Sequence, residues 1–93
     1  MRYLIVHDVS EDDVRSHVAR VLEAFGPRVQ ESVFEAELAG ADLPLLARRL
    51  TGVLQPAEVG NIRICRLCYE CLAASFGLGL VAPGLGSEAC IVI

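Results

Sequence analysis

The chain has 93 residues, a formal net charge of −4 and 54% hydrophobic residues, which suits one small domain. No run reaches the roughly 20 apolar residues that a membrane span needs, and an acidic total disfavours non-specific nucleic-acid binding. All eight basic residues are Arg, and a local Arg patch can still grip phosphate through two parallel hydrogen bonds.

No basic leader followed by an apolar stretch and a cleavage site opens the chain, so a soluble cytoplasmic protein is expected. The apolar share is high for one small domain, which points to a partner subunit that covers part of it.

Arg2 to Val9 opens the chain as a β-forming run, with the bulky Leu4, Ile5 and Val6 at its centre. Asp8 places a carboxylate at the end of that strand, where a loop begins and where sites tend to sit. It is either a local turn-former or a functional group. Ser10 reads as a helix N-cap, with Glu11, Asp12 and Asp13 suited to the positive helix end. Val14, Val18, Val21, Leu22 and Phe25 follow at helical spacing, so a helix is predicted over 11–25. Gly26 ends it and Pro27 prevents its continuation.

A short extended piece, 28–30, precedes an alternating run from Ser32 to Leu38. In that run Val33, Glu35 and Glu37 share one face, and Phe34, Ala36 and Leu38 the other. A second helix is predicted from Asp42, with Pro44 tolerated in its first turn. Leu43, Leu46, Ala47, Leu50 and Leu54 form its buried stripe, and Arg48 and Arg49 its solvated side. Residues 55–60 read as a loop, and 61–67 alternates again as a strand.

The order β-α-β-β-α-β predicts an α+β, ferredoxin-like domain with the helices on one sheet face. The strands read as apolar on both faces, so a homodimer through the open face is expected. A further short strand is predicted within 73–80, and Pro83 to Gly86 reads as a turn or linker. The whole chain, 1–93, is taken as one domain, and its tail, 81–93, is expected to pair with a sheet edge, the partner's included.

Cys65, Cys68 and Cys71 form C-x-x-C-x-x-C. Three clustered thiols fall short of a paired zinc motif. The expectation is small buried hydrophobes, with metal and redox use as the alternatives. His7 and His17, on a strand and a helix stripe, read as packed side chains. Arg28 stands before the second strand, either for phosphate or as a solvated charge. No phosphate loop or nucleophile elbow is present.

The segment from Tyr3 to Ser10, then Arg15, and above all the run Gly26 to Glu35 (G-P-R-V-Q-E-S-V-F-E) resemble the CRISPR-associated protein 2 family. Residues 62–71 are similar to that family's fourth strand and the turn after it, so the likeness covers roughly 1–72. The resemblance implies a ferredoxin-like homodimer that takes part in acquiring CRISPR spacers, bridging integrase subunits and holding duplex DNA. It also implies metal-dependent endonuclease activity on RNA or DNA, with Mg²⁺ or Mn²⁺ as cofactor. The family's metal and catalytic aspartate maps onto Asp8, its nucleic-acid-binding arginines onto Arg15 and Arg28, and its structural aromatic onto Phe34. Two positions depart from the pattern, His7 where Tyr is common and His17 where a basic residue is frequent.

Three functions are therefore carried forward: a metal-dependent phosphodiesterase, a non-catalytic adaptor in the integration complex, and a small-ligand regulatory dimer on a ferredoxin-like scaffold.

Overall fold

The computed structural model describes residues 1–58 and 60–78. Seven elements follow one another: β1 (Arg2–Asp8), α1 (Asp12–Glu23), β2 (Arg28–Gln30), β3 (Val33–Glu37), α2 (Asp42–Ala57), β4 (Asn61–Leu67) and α3 (Tyr69–Ala74). The four strands form one sheet in the order β2-β3-β1-β4, every neighbour antiparallel. This is the predicted ferredoxin-like arrangement.

The register explains the core. Ile5 stands opposite Phe34 on one side and Ile64 on the other, so all three share a face. Ile5 and Phe34 are fully buried there, with Val18 and Leu22 of α1 and Leu46 and Leu50 of α2. Removing that much apolar surface from water is what holds the helices to the sheet. The opposite face takes the alternate residues: Arg2, Leu4, Val6 and Asp8 from β1, and Val33, Glu35 and Glu37 from β3.

That second face is not the uniformly apolar surface expected from the strands. Arg2 ties to Glu35 at 3.0 Å and to Glu37 at 3.1 Å, and Glu35 is buried. Both carboxylates hold the Arg2 guanidinium charged, its pKa raised first by the Glu37 bond and then by that to Glu35. Arg63 and Cys65 of β4 lie exposed on the same face, opposite Val6 and Leu4.

Several boundaries move. The N-cap of α1 is Glu11, not Ser10, and no side chain bonds the first turn there. Ala47 is exposed, and Val53 packs against the core in its place. α2 also runs on through Pro56 to Ala57. Proline lacks the N–H that would bond Gly52, but in the last turn little helix remains to be disrupted. Glu58 then closes α2 in the left-handed region at φ 51°, its N–H donating to Leu54 and Gln55 carbonyls.

Residues 69–74 form the short helix α3, so the strand predicted within 73–80 does not begin at Ala73. The three cysteines at 65, 68 and 71 are exposed, against the expectation of burial. His17 is exposed as well. The expected tail, 81–93, lies outside the described residues.

Candidate nucleic-acid and catalytic site

Asp8 is the last residue of β1, opposite Asn61 of β4, and it is exposed. Its neighbour His7 points to the helix side and is 5% exposed. Alternation along the strand causes this split: the same strand end offers a carboxylate to solvent and buries an imidazole. Gly60 fixes that end from below. Its φ is +78°, and a Cβ there would stand 2.7 Å from Val9 Cγ2 and 2.9 Å from the Asp8 carbonyl, so only glycine fits.

A cleft of about 340 Å³ opens at the strand end, lined by His7, Asp8, Val9, Ser10, Arg15, Glu31 and Ser32. Arg15, on the first turn of α1, reaches back over it. Its Nη1 donates to the Val9 and Ser10 carbonyls at 3.3 and 3.4 Å, and its Nη2 pairs with Asp12. Arg15 therefore braces the loop that follows Asp8. Its side chain remains 43% exposed, so part of the guanidinium still faces solvent.

A smaller cavity of about 120 Å³ adjoins, lined by His7, Arg15, Ser16, Ala19, Arg28 and Glu31. Arg28 lies over the buried Phe34 ring, 5.3 Å from its centroid, and its Nη2 donates to Glu23 at 3.2 Å. A cation over an aromatic face gains from the ring quadrupole, so Phe34 and Glu23 together set where Arg28 stands. The structure thus brings Asp8 and Arg15 into one cleft and joins Arg15 to Arg28 through the second cavity, with Phe34 beneath. Arg48 and Arg49 lie on α2 and line neither cavity; Arg49 covers the Phe25 ring at 5.6 Å.

His7 is the unusual member. Neither ring nitrogen has a hydrogen-bond partner among the described residues, and its ring lies 6.0 Å from that of Phe34. Burial, then Arg28 and Arg15, push its pKa below the ordinary histidine value, and only Asp8 opposes them. It is therefore neutral at pH 7.

Sequence reasoning did not find Glu31 and Ser32 at the cleft. They are adjacent to Asp8 only because β1 pairs with β3 and the His7 N–H donates to the Ser32 carbonyl at 3.0 Å. Among the described residues no three His, Cys, Asp or Glu side chains are grouped to hold a metal ion. The other carboxylate residue lining the cleft is Glu31, so one chain offers Asp8 and Glu31 there toward the divalent metal that the resemblance implies. Among the described residues, no helix is long and apolar enough to cross a membrane.

Residues 1–74 match the family model described as CRISPR associated protein Cas2. A relative from Chloroflexus aurantiacus, named CRISPR-associated endoribonuclease Cas2 1, is 41% identical over 71 residues, 76% of each chain. Another, CRISPR-associated endoribonuclease Cas2 4 of Rhodospirillum rubrum, is 34% identical over 99% of this chain and 73% of its own. Among solved structures, Cas2 of Streptococcus pyogenes superposes with a TM-score of 0.66 at 30% identity, over 73% of this chain and 87% of that one. A chain of a partial Cas6-RT-Cas1–Cas2 complex gives 0.73 at 35% identity, over 80% and 86%. With its sheet order, its strand-end aspartate and these likenesses, the chain belongs to the CRISPR-associated protein Cas2 family.

Proposed function

We propose that this protein is a subunit of a CRISPR spacer-acquisition complex that holds duplex DNA between integrase subunits, and that it works as a homodimer. The observation that carries the reading is the Asp8 cleft, where a solvent-facing strand-end carboxylate lies beside Arg15 and, through the adjoining cavity, Arg28. The arginines supply phosphate-directed donors in an otherwise acidic chain. The likeness to a chain of the partial Cas6-RT-Cas1–Cas2 complex supports the integrase partner. Family membership sets aside the small-ligand regulatory dimer.

The names of the relatives support a second activity at the same cleft, endonuclease cleavage of RNA or DNA. A divalent ion such as Mg²⁺ or Mn²⁺ would supply charge stabilisation and an activated water. Hard cations want oxygen ligands, and Mg²⁺ keeps several waters, so two carboxylates can suffice. A two-fold axis that brings Asp8 of a second copy toward the first would provide them from one sequence position. Leu4, Val6 and Val33 on the open sheet face supply apolar surface for such a dimer. In this arrangement Asp8 is the catalytic and metal-binding residue, Arg15 and Arg28 hold the nucleic-acid backbone, and Phe34 supports Arg28.

The test uses Asp8→Asn. The carboxylate is exposed, so the variant should fold normally. Metal-dependent cleavage of RNA and DNA and integration with the integrase subunit are measured on one preparation. We expect cleavage to fall to background while integration persists, which makes the holding role primary. Cleavage that survives with its metal dependence intact would remove Asp8 from the mechanism. Integration lost together with duplex binding would tie the carboxylate to the holding role instead.

A further inference from the structure

The C-x-x-C pair at the end of β4 is separate from the Asp8 cleft, and nothing in the function above uses it. Cys68 is the N-cap of α3, in extended backbone at φ −76° and ψ 164°. Its sulfur accepts from the Cys71 backbone N–H at 3.4 Å. Each of the two side chains shifts the pKa of the other, in opposite directions. Both residues are exposed, as is Cys65. A buried thiol would be inert, whereas an exposed pair in which one cysteine's backbone N–H already holds the other's sulfur is positioned to react. Residues three apart across a helix's first turn lie within the span that a disulfide bridges.

We infer that Cys68 and Cys71 form a reversible dithiol–disulfide site, oxidised by low-molecular-weight disulfides, with Cys68 as the attacking sulfur and Cys71 as the resolving one. The assignment of roles follows from the hydrogen bonds. The Cys71 side chain and its backbone N–H, the latter donating to the Cys68 sulfur, favour the Cys68 thiolate and lower its pKa. The same contact raises that of Cys71.

In the first step the Cys68 thiolate attacks one sulfur of the small disulfide. A mixed disulfide forms, the small S–S bond breaks, and one small thiol leaves with a proton from solvent. In the second step Cys71 loses its proton to solvent and attacks Cys68 Sγ. The Cys68–Cys71 bond forms and the second small thiol leaves. Two protein thiols have then lost two electrons and two protons, and one small disulfide has become two thiols. The product fastens the end of β4 to the first turn of α3.

Sequence gives a clean assay. Cleavage after Glu70 separates Cys68 from Cys71, cleavage after Glu88 isolates Cys90, and tryptic cuts after Arg63 and Arg66 isolate Cys65. The full-length protein, reduced and then freed of reductant, is incubated with oxidised glutathione at graded ratios, alkylated, digested and weighed. The expected result is two fragments joined across the Glu70 cut, lighter by two hydrogens than the pair of thiols, with Cys65 and Cys90 alkylated. Dithiothreitol should reverse it. Cys71→Ser should stop at a glutathione adduct on Cys68, and Cys68→Ser should lose the rapid adduct. Fragments that separate fully alkylated at every ratio would overturn the inference. So would Cys68 joined to Cys65 or Cys90, or an adduct on Cys71 that forms as fast without Cys68.

Discussion

His7→Phe should make this protein more stable, and the gain should grow in acid. A neutral imidazole carries one donor and one acceptor, and in His7 neither meets a partner among the described residues. A buried polar group left unpaired costs about 1–3 kcal/mol. Phenylalanine removes both nitrogens, keeps an aromatic ring beside Phe34 and can expand into the adjoining cavity of about 120 Å³. Allowing for imperfect repacking, the net gain should be about 1–2 kcal/mol at pH 7.5, taking one unpaired group's cost as the guide. For a chain of this length that is a rise of roughly 4–15 °C in Tm.

The pH dependence follows from the direction of the shift. The His7 pKa in the fold lies below its ordinary 6.5. Between the two values the unfolded chain binds a proton that the native chain does not. Stability then rises with pH across that window and is lost as pH falls below about 6.5. Urea unfolding at pH 7.5 and 5.5 measures both effects: the parent should weaken between the two, and His7→Phe should weaken less. A variant less stable by about 1 kcal/mol or more at pH 7.5, with the parent's pH slope intact, would show that the ring nitrogens are hydrogen-bonded in solution, because removing a satisfied group incurs that cost.

Gly26→Ala should come close to unfolding the domain. A Cβ there would stand 1.9 Å from the Glu35 carbonyl oxygen and 2.8 Å from Ala36 Cα, backbone that cannot step aside, so a cost at or above the upper end of about 1–3 kcal/mol is expected on thermal denaturation. Phe34→Ala should cost about 3–5 kcal/mol and also release Arg28, so duplex affinity should fall in any fraction that still folds. Arg15→Ala and Arg28→Ala should each lower duplex DNA affinity and flatten its salt dependence by about one unit. Arg48→Ala should do neither, and equal losses from all three in a filter-binding salt titration would refute the ranking.

The fold was legible because its signals are local and redundant. Alternation in 32–38 separates Phe34, Ala36 and Leu38 from Glu35 and Glu37, and the structure keeps that division. Gly26 marks the end of α1 because it must lie against β3, a requirement stronger than any propensity. The errors have physical sources too. The α1 cap moved from Ser10 to Glu11, and a one-residue difference lies below what a pattern decides. Residues 55–60 read as a loop, but α2 runs through Pro56 to Ala57, since a proline in the last turn forfeits little. α3 has six residues, too few for helical periodicity to show. The cysteines looked buried because thiols usually are, and only the exposed edge of β4 and α3 reveals otherwise.

The candidate site was half legible for a related reason. Asp8, Arg15 and Arg28 carry charge at element ends, which a sequence displays directly. Glu31 and Ser32 join them only through the β1–β3 pairing, a contact across more than twenty residues of chain. That pairing also decides which strand-end residue is available for chemistry. A one-residue slip of β1 would turn Asp8 into the core and His7 out to solvent. The core resists the slip because Ile5, between Phe34 and Ile64, would leave it too. Gly60 resists it from the loop side by closing on Val9 and the Asp8 carbonyl. Exposure of the Asp8 carboxylate and burial of His7, unpartnered among the described residues, are therefore one structural decision, and the energetic burden of the imidazole accompanies the register that presents the carboxylate.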